Sequence, residues 1–149
     1  MCAEGAVAAM VIGMPTMSEL DQALATLDPT LEGFYAFALV DEVPEGLRPF
    51  AVIPDRDEWT VVLDVDQARE KGLPTDEVYA KVSLGLTSAL AAVGVTASIA
   101  QVLSSRSITA NFIASNRTNH LFVQKDRAQE ALSLLSELGR SARGWLPQV

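Results

Sequence analysis

The chain has one histidine, His120, and one cysteine, Cys2 at the start of the sequence. An imidazole titrates near neutrality and could act as a general base. A metal cluster here would need carboxylates alone around that one imidazole. The plainer role for His120 is a strand-edge residue hydrogen-bonded to backbone. Asp55, Asp57 and Glu58 cluster in a predicted turn, and Asp64 and Asp66 flank a strand end. Paired carboxylates do acid–base work when burial drives their pKa values apart. Turn and helix-cap roles account for these five more simply. HExxH, CxxC, Walker and GxSxG patterns are absent from the sequence, and no residue reads as a committed nucleophile. The expectation is therefore no catalytic residue, no metal and no cofactor. Trp59 and Trp145 read as packing residues rather than stacking platforms.

The remaining chemistry lies at Gly94. A glycine just before a helix lets the chain approach closely, and the first backbone N–H groups of a helix have no internal partners. Such an end attracts a carboxylate or phosphate. Thr96 adds a hydroxyl, either as the helix's own cap or for a ligand. Asn111, on the next predicted strand, offers both a donor and an acceptor. A zwitterionic small molecule would suit the set, with its carboxylate on the helix end and its amino group on strand carbonyls and Asn111. An ordinary N-terminal helix end is the competing reading.

These residues sit in a run, Val82 to Ser105, that has no charge between Lys81 and Arg106. Its length of about 20 residues or more invites a membrane reading. Its eight polar residues and two glycines exclude one, because unmet polar groups are costly in hydrocarbon. The run splits at Gly94. Before it, Val78, Ala80, Val82, Leu84 and Leu86 alternate with Tyr79, Lys81 and Ser83, the period of a half-buried strand. After it, Val95, Ile99, Val102 and Leu103 recur at helical spacing.

The second half thus predicts a strand at about 77–86, a helix at 96–105, strands at 108–114 and 119–124, and a last helix. Asp126 would cap that helix with Gln129 as its capping-box partner, and Gly139 would end it. The first half looks like a worn copy. A strand is expected at about 7–12, then a helix from Thr16 opened by a "TMSE" capping box and stopped by Asp28-Pro29. Strands follow at about 34–40, 50–53 and 59–65, with a short helix at 66–71. "KGLPTDE" is the natural boundary. The fold class is α+β, two ferredoxin-like units side by side with helices on one face of antiparallel sheets, at residues 1–76 and 77–149.

At 149 residues and 49% hydrophobic, the chain has the composition of a soluble globular protein. A lone cysteine excludes an intrachain disulfide. The apolar N-terminus lacks a basic leader, so the expected compartment is the cytoplasm. The net charge of −8 hides a split. Residues 1–77 hold 16 of the 19 acids and 4 of the 11 basic residues, while residues 78–149 hold 3 acids and 7 basics. The basic residues are scattered without interleaved aromatics, which argues against nucleic acid.

The segments "SALAAVGVTASIAQVL", "ITANFIAS" and "NHLFVQKDRAQEALSLL" resemble the C-terminal half of small tandem ACT-domain proteins, in the subgroup related to the cellular arginine sensors of animals. Ser88, Leu90, Ala92, Val93, Gly94, Thr96 and Ala97 match the first motif of that family. Ile108, Asn111, Ile113 and Ala114 fit the second, and His120, Phe122 and Val123 the third. The specific part spans about residues 78–138, and "EGFYAFALVD" is the best piece of the first half. Thr118, Asn119 and Ser115 depart from the family pattern around the turn before His120. The resemblance implies a regulatory module that binds an amino acid between ACT units. By position, Val93, Gly94, Val95, Thr96 and Ala97 would form the carboxylate-binding end, with Asn111 and Ile113 as the strand wall.

An ACT unit ends in a fourth strand, for which "RSARGWLPQV" is a weak candidate. The other half, or a second copy in a homodimer, would complete the sheet. Three functions stand side by side: an amino-acid sensor that signals to an unidentified protein partner, an interaction module of the same fold without a ligand, and a small enzyme with His120 as base.

Overall fold

The computed structural model describes residues 17–86 and 93–145. The expected strand at 7–12, the capping residue Thr16 and most of the loop before Gly94 lie outside the described residues. The elements run in the order α1 (Met17–Ala25), β1 (Thr30–Val40), β2 (Ala51–Asp55), β3 (Glu58–Asp64), α2 (Val65–Glu70), β4 (Val78–Ser83), α3 (Val95–Ser104), β5 (Asn111–Ala114), β6 (Asn119–Gln124) and α4 (Ala128–Trp145). A single 3₁₀ turn, Lys125–Arg127, precedes α4. The class is the expected α+β with antiparallel pairing.

All six strands join one sheet in the order β2-β3-β1-β4-β6-β5. Directly paired residues share a face. Phe34 and Ala36 on β1 oppose Ala80 and Val78 on β4, and Val82 and Ala80 oppose Leu121 and Val123 on β6. That face carries the main core, where Leu24 and Leu27, Val95, Ile99 and Leu103, and Ala131 and Leu135 from the three longer helices are buried against the sheet. Ala68 of α2 covers a smaller cluster, Ala36, Ala38, Val61 and Leu63, on the same face. Helical spacing of Leu20, Leu24 and Leu27 supplies the stripe of α1. That stripe packs over the second half of the chain rather than over its own.

β4 runs directly beside β1, so β1 occupies the place a fourth strand would take next to β4. The other half therefore completes the sheet. The tail reading is corrected in part: residues 140–145 continue α4 and form no strand.

Several boundaries differ from the sequence expectation for local physical reasons. β1 begins at Thr30 because a bulge between Leu31 and Phe34, with Gly33 at φ 112°, lets the strand bend and continue. Asp126 lies inside the 3₁₀ turn, and the side chain of the capping residue Gln124 makes no cap bond. Gly139 does not end α4. It is buried mid-helix, where an added Cβ would lie 3.2 Å from the Leu27 carbonyl oxygen. Glycine there permits close approach between α4 and the chain leaving α1. Among the described residues no helix is long and apolar enough to cross a membrane.

Candidate functional site

Gly94 opens α3 with φ 90°, a left-handed conformation that costs glycine nothing. Its carbonyl accepts the Ser98 N–H at 2.9 Å. Helix geometry then leaves the N–H groups of Val95, Thr96 and Ala97 without intrahelical partners, and Gly94 has no side chain to cap them. Val95 is buried as a whole residue at the base of this end. Thr96 and Ala97 are exposed, as is Val93. Leu20 of α1 lies under the turn, 3.6 Å from where a Cβ on Gly94 would stand. The result is a helix start exposed at Thr96 and Ala97 and seated on Leu20 of α1.

The strand residues named with it lie differently. Asn111 opposes Phe122 and Ile113 opposes His120, which puts both on the face away from the helices. Ile113 and Ala114 stand at the end of the sheet from which β4 leads toward α3, while Asn111 begins β5 at the opposite end. β5 is an edge strand of the sheet.

The face away from the helices holds a second arrangement that sequence reasoning did not find. Lys81, only 7% exposed, lies among aromatic rings. Its Nζ is 4.4 Å from the ring centre of Phe50 and 5.1 Å from that of Tyr35, and 3.2 Å from Oε1 of Glu32. The rings of Phe50, Tyr35 and Phe37 meet Phe122 edge-on, and Phe122 is fully buried. The alternation in β4 marks Lys81 as an outward residue, yet this face is closed over it. Its only local signal is the flanking Tyr79, because Phe50 and Glu32 come from distant positions and the Gly33 bulge hides the register of Glu32.

His120 belongs to this cluster. It sits on an interior strand, not at a strand edge, and its Nε2 bonds the Thr118 hydroxyl at 2.9 Å rather than backbone. Among the described residues its buried Nδ1 has no hydrogen-bond partner, and Glu32 Oε1 at 3.7 Å is too far for one. Burial lowers the imidazole pKa from its ordinary 6.5, the Lys81 charge lowers it further, and Glu32 opposes both. The arrangement stabilises a neutral imidazole beside a fixed cation.

Two of the acidic groups, Asp64 and Asp55, have cap and turn roles. Asp64 accepts from the Asp66 and Gln67 N–H groups and so caps α2. Asp55 accepts from the Thr60 hydroxyl at 2.9 Å across the β2–β3 turn. Trp59 lies on β3 and is partly exposed.

The ACT-domain family model matches residues 75–137, the span from just before β4 into α4. The chain carries an ACT domain. A solved structure from Vibrio cholerae, a protein of unknown function described as a possible transport protein, is 33% identical with a TM-score of 0.73. The similarity covers 83% of this chain and 98% of that one. The two proteins belong to one family. An Agrobacterium tumefaciens protein is 18% identical, over 76% of this chain and 89% of its own, with a TM-score of 0.63. The ligand-free regulatory subunit of aspartate kinase from Thermus thermophilus is 15% identical, over 74% and 97%, with a TM-score of 0.54. These last two share the fold. Among curated protein sequences none matches the chain.

Proposed function

We propose that this protein is a ligand-binding regulatory module without catalytic activity. Its ACT domain binds an amino acid through the start of α3, and the bound state is read by a protein partner. The observation that carries this reading is the start of α3 at Gly94, where the N–H groups of the exposed residues Thr96 and Ala97 have no intrahelical partner. A carboxylate placed there would satisfy donors that helix geometry leaves without intrahelical partners. The likeness to a regulatory subunit of aspartate kinase adds support at the level of fold.

Residues 1–76 act, in this reading, as a degenerate second ACT-like unit. β1 lends its strand to the sheet of the ACT domain, and α1 lends Leu20 to the floor beneath Gly94. Binding at the helix end would then bias how α1 packs, giving a route by which a ligand changes the surface that a partner sees. The relation to arginine sensors, a cytoplasmic location and a homodimer complete the proposal. Calorimetric titration with the twenty standard amino acids tests it, with Gly94→Val as the control that blocks the helix end. Absence of binding by any of them would favour the interaction module without a ligand.

A further inference from the structure

A pocket of about 310 Å³ opens between the end of α1 and the last turns of α4, away from the α3 helix end. That is at the small end of ligand sites, which run from roughly 300 to 1,000 Å³. On one side it is lined by Thr26, Asp28 and Pro29, and on the other by Ser136, Arg140 and Arg143. The spacing of the second set is i, i+4, i+7, one face of a helix. Gly139, on the same turns, lets that face press against the Leu27 backbone. Arg143 is already engaged, with Nη1 donating to the Ala25 carbonyl at 3.1 Å.

Arg140 and Asp28 face the same space without meeting. Among the described residues neither forms an ion pair within 4.0 Å. The negative end of the α1 dipole lies on the Asp28 side, although its last carbonyls already accept from Thr26, Leu27 and Arg143. One wall of the pocket is therefore cationic and the other anionic. A group of one sign alone would satisfy one wall and be repelled by the other. A small molecule with both signs satisfies both.

We propose that this pocket is a second binding site, independent of the one at α3, for a small zwitterion. The anionic group of the ligand pairs with Arg140 beside Ser136. Its cationic group sits against the Asp28 carboxylate. Arg143, tied to Ala25, fixes the distance between the walls.

Calorimetric titration of the full chain tests this with glycine, glycine betaine, acetate and methylammonium as probes. At least one zwitterion should bind, and each single-charge analogue should bind about tenfold more weakly or worse, the loss of one charge-assisted contact. Arg140→Gln and Asp28→Asn should each weaken the zwitterion by about tenfold or more. Both residues are exposed, and unchanged melting temperatures would show that the variants remain folded. Gly94→Val should leave this binding intact, which separates it from the α3 site. Equal binding of acetate and the zwitterions, or no loss in both charge variants, would overturn the proposal. Binding abolished by Gly94→Val alone would overturn it too, as would no binding by any probe.

Discussion

The ring centre of Phe50 lies 4.8 Å from that of His120, although Phe50 immediately precedes the edge strand β2 and His120 sits on β6, four strands away in the sheet order. In a flat sheet four strand spacings would hold them roughly 19 Å apart. The β2 edge must therefore fold over the face that carries no helices. Lys81, Tyr35 and Phe122 are enclosed beneath it. The protein thus has two interiors, an aliphatic one under the helices and an aromatic one closed by Phe50 around a lysine.

Removing the cation from the aromatic interior should be costly in proportion to what replaces it. Lys81→Ala loses the contacts with Phe50 and Tyr35, the pairing with half-exposed Glu32, and the packing of the lysine stem. We expect a loss of about 2 kcal/mol. Lys81→Met keeps the stem and should lose about half as much. Urea denaturation of the three proteins measures the difference, and equal losses would mean that packing contributes nothing.

His120 predicts an acid-sensitive fold. Its native pKa lies below the ordinary 6.5, so between the two values the unfolded chain takes up a proton that the native state resists. Stability should be fully present above about pH 6.5 and fall as pH decreases through that window. His120→Gln should flatten this part of the profile. Melting temperatures measured at about pH 7.5 and about pH 5.5 should differ less for the variant than for the parent.

Glu58 predicts the opposite sign. Burial, hydrogen bonding with Asp41, and the negative charges of Asp41 and Asp55 raise its carboxyl pKa. The native state then holds the proton more tightly than the unfolded chain, and the ionised residue opposes folding at neutral pH. Glu58→Gln should raise the melting temperature at neutral pH and lose that advantage as pH falls through the raised native value. A lower melting temperature at neutral pH would contradict this.

Gly85 holds the path from β4 toward the ACT loop. Its φ is 65°, and an added Cβ would stand 2.9 Å from the Asp28 carbonyl oxygen. Strain and overlap with backbone act together, so Gly85→Ala should destabilise by about 3 kcal/mol. Chemical denaturation checks this, and a loss below about 1 kcal/mol would mean that the turn can relax.

Much of the second half was legible in the sequence because its signals are local. Asn119–Gln124 was read with the bounds it has, since a turn precedes it and alternation fills it. The α3 helix was found within a residue because Gly94 and the spacing of Val95, Ile99 and Leu103 agree. What escaped depends on contacts between distant segments. Gly139 has the local look of a helix stop, and only its approach to Leu27 explains it mid-helix. Lys81 reads as solvated until Phe50 folds over it. The face that Asn111 takes follows from its pairing with Phe122, which sequence order does not reveal.

The most direct test of the regulatory reading is a calorimetric titration of each standard amino acid into Arg140→Gln, in which the pocket between α1 and α4 is disabled, and into the same variant carrying Gly94→Val. The account predicts saturable binding of at least one amino acid to Arg140→Gln, and its loss when Gly94→Val is added, since valine cannot hold the left-handed turn that opens α3. Binding to Arg140→Gln that survives the addition of Gly94→Val in a folded protein, or no binding by any amino acid to Arg140→Gln at millimolar concentration (roughly the limit of a weak site), would contradict it.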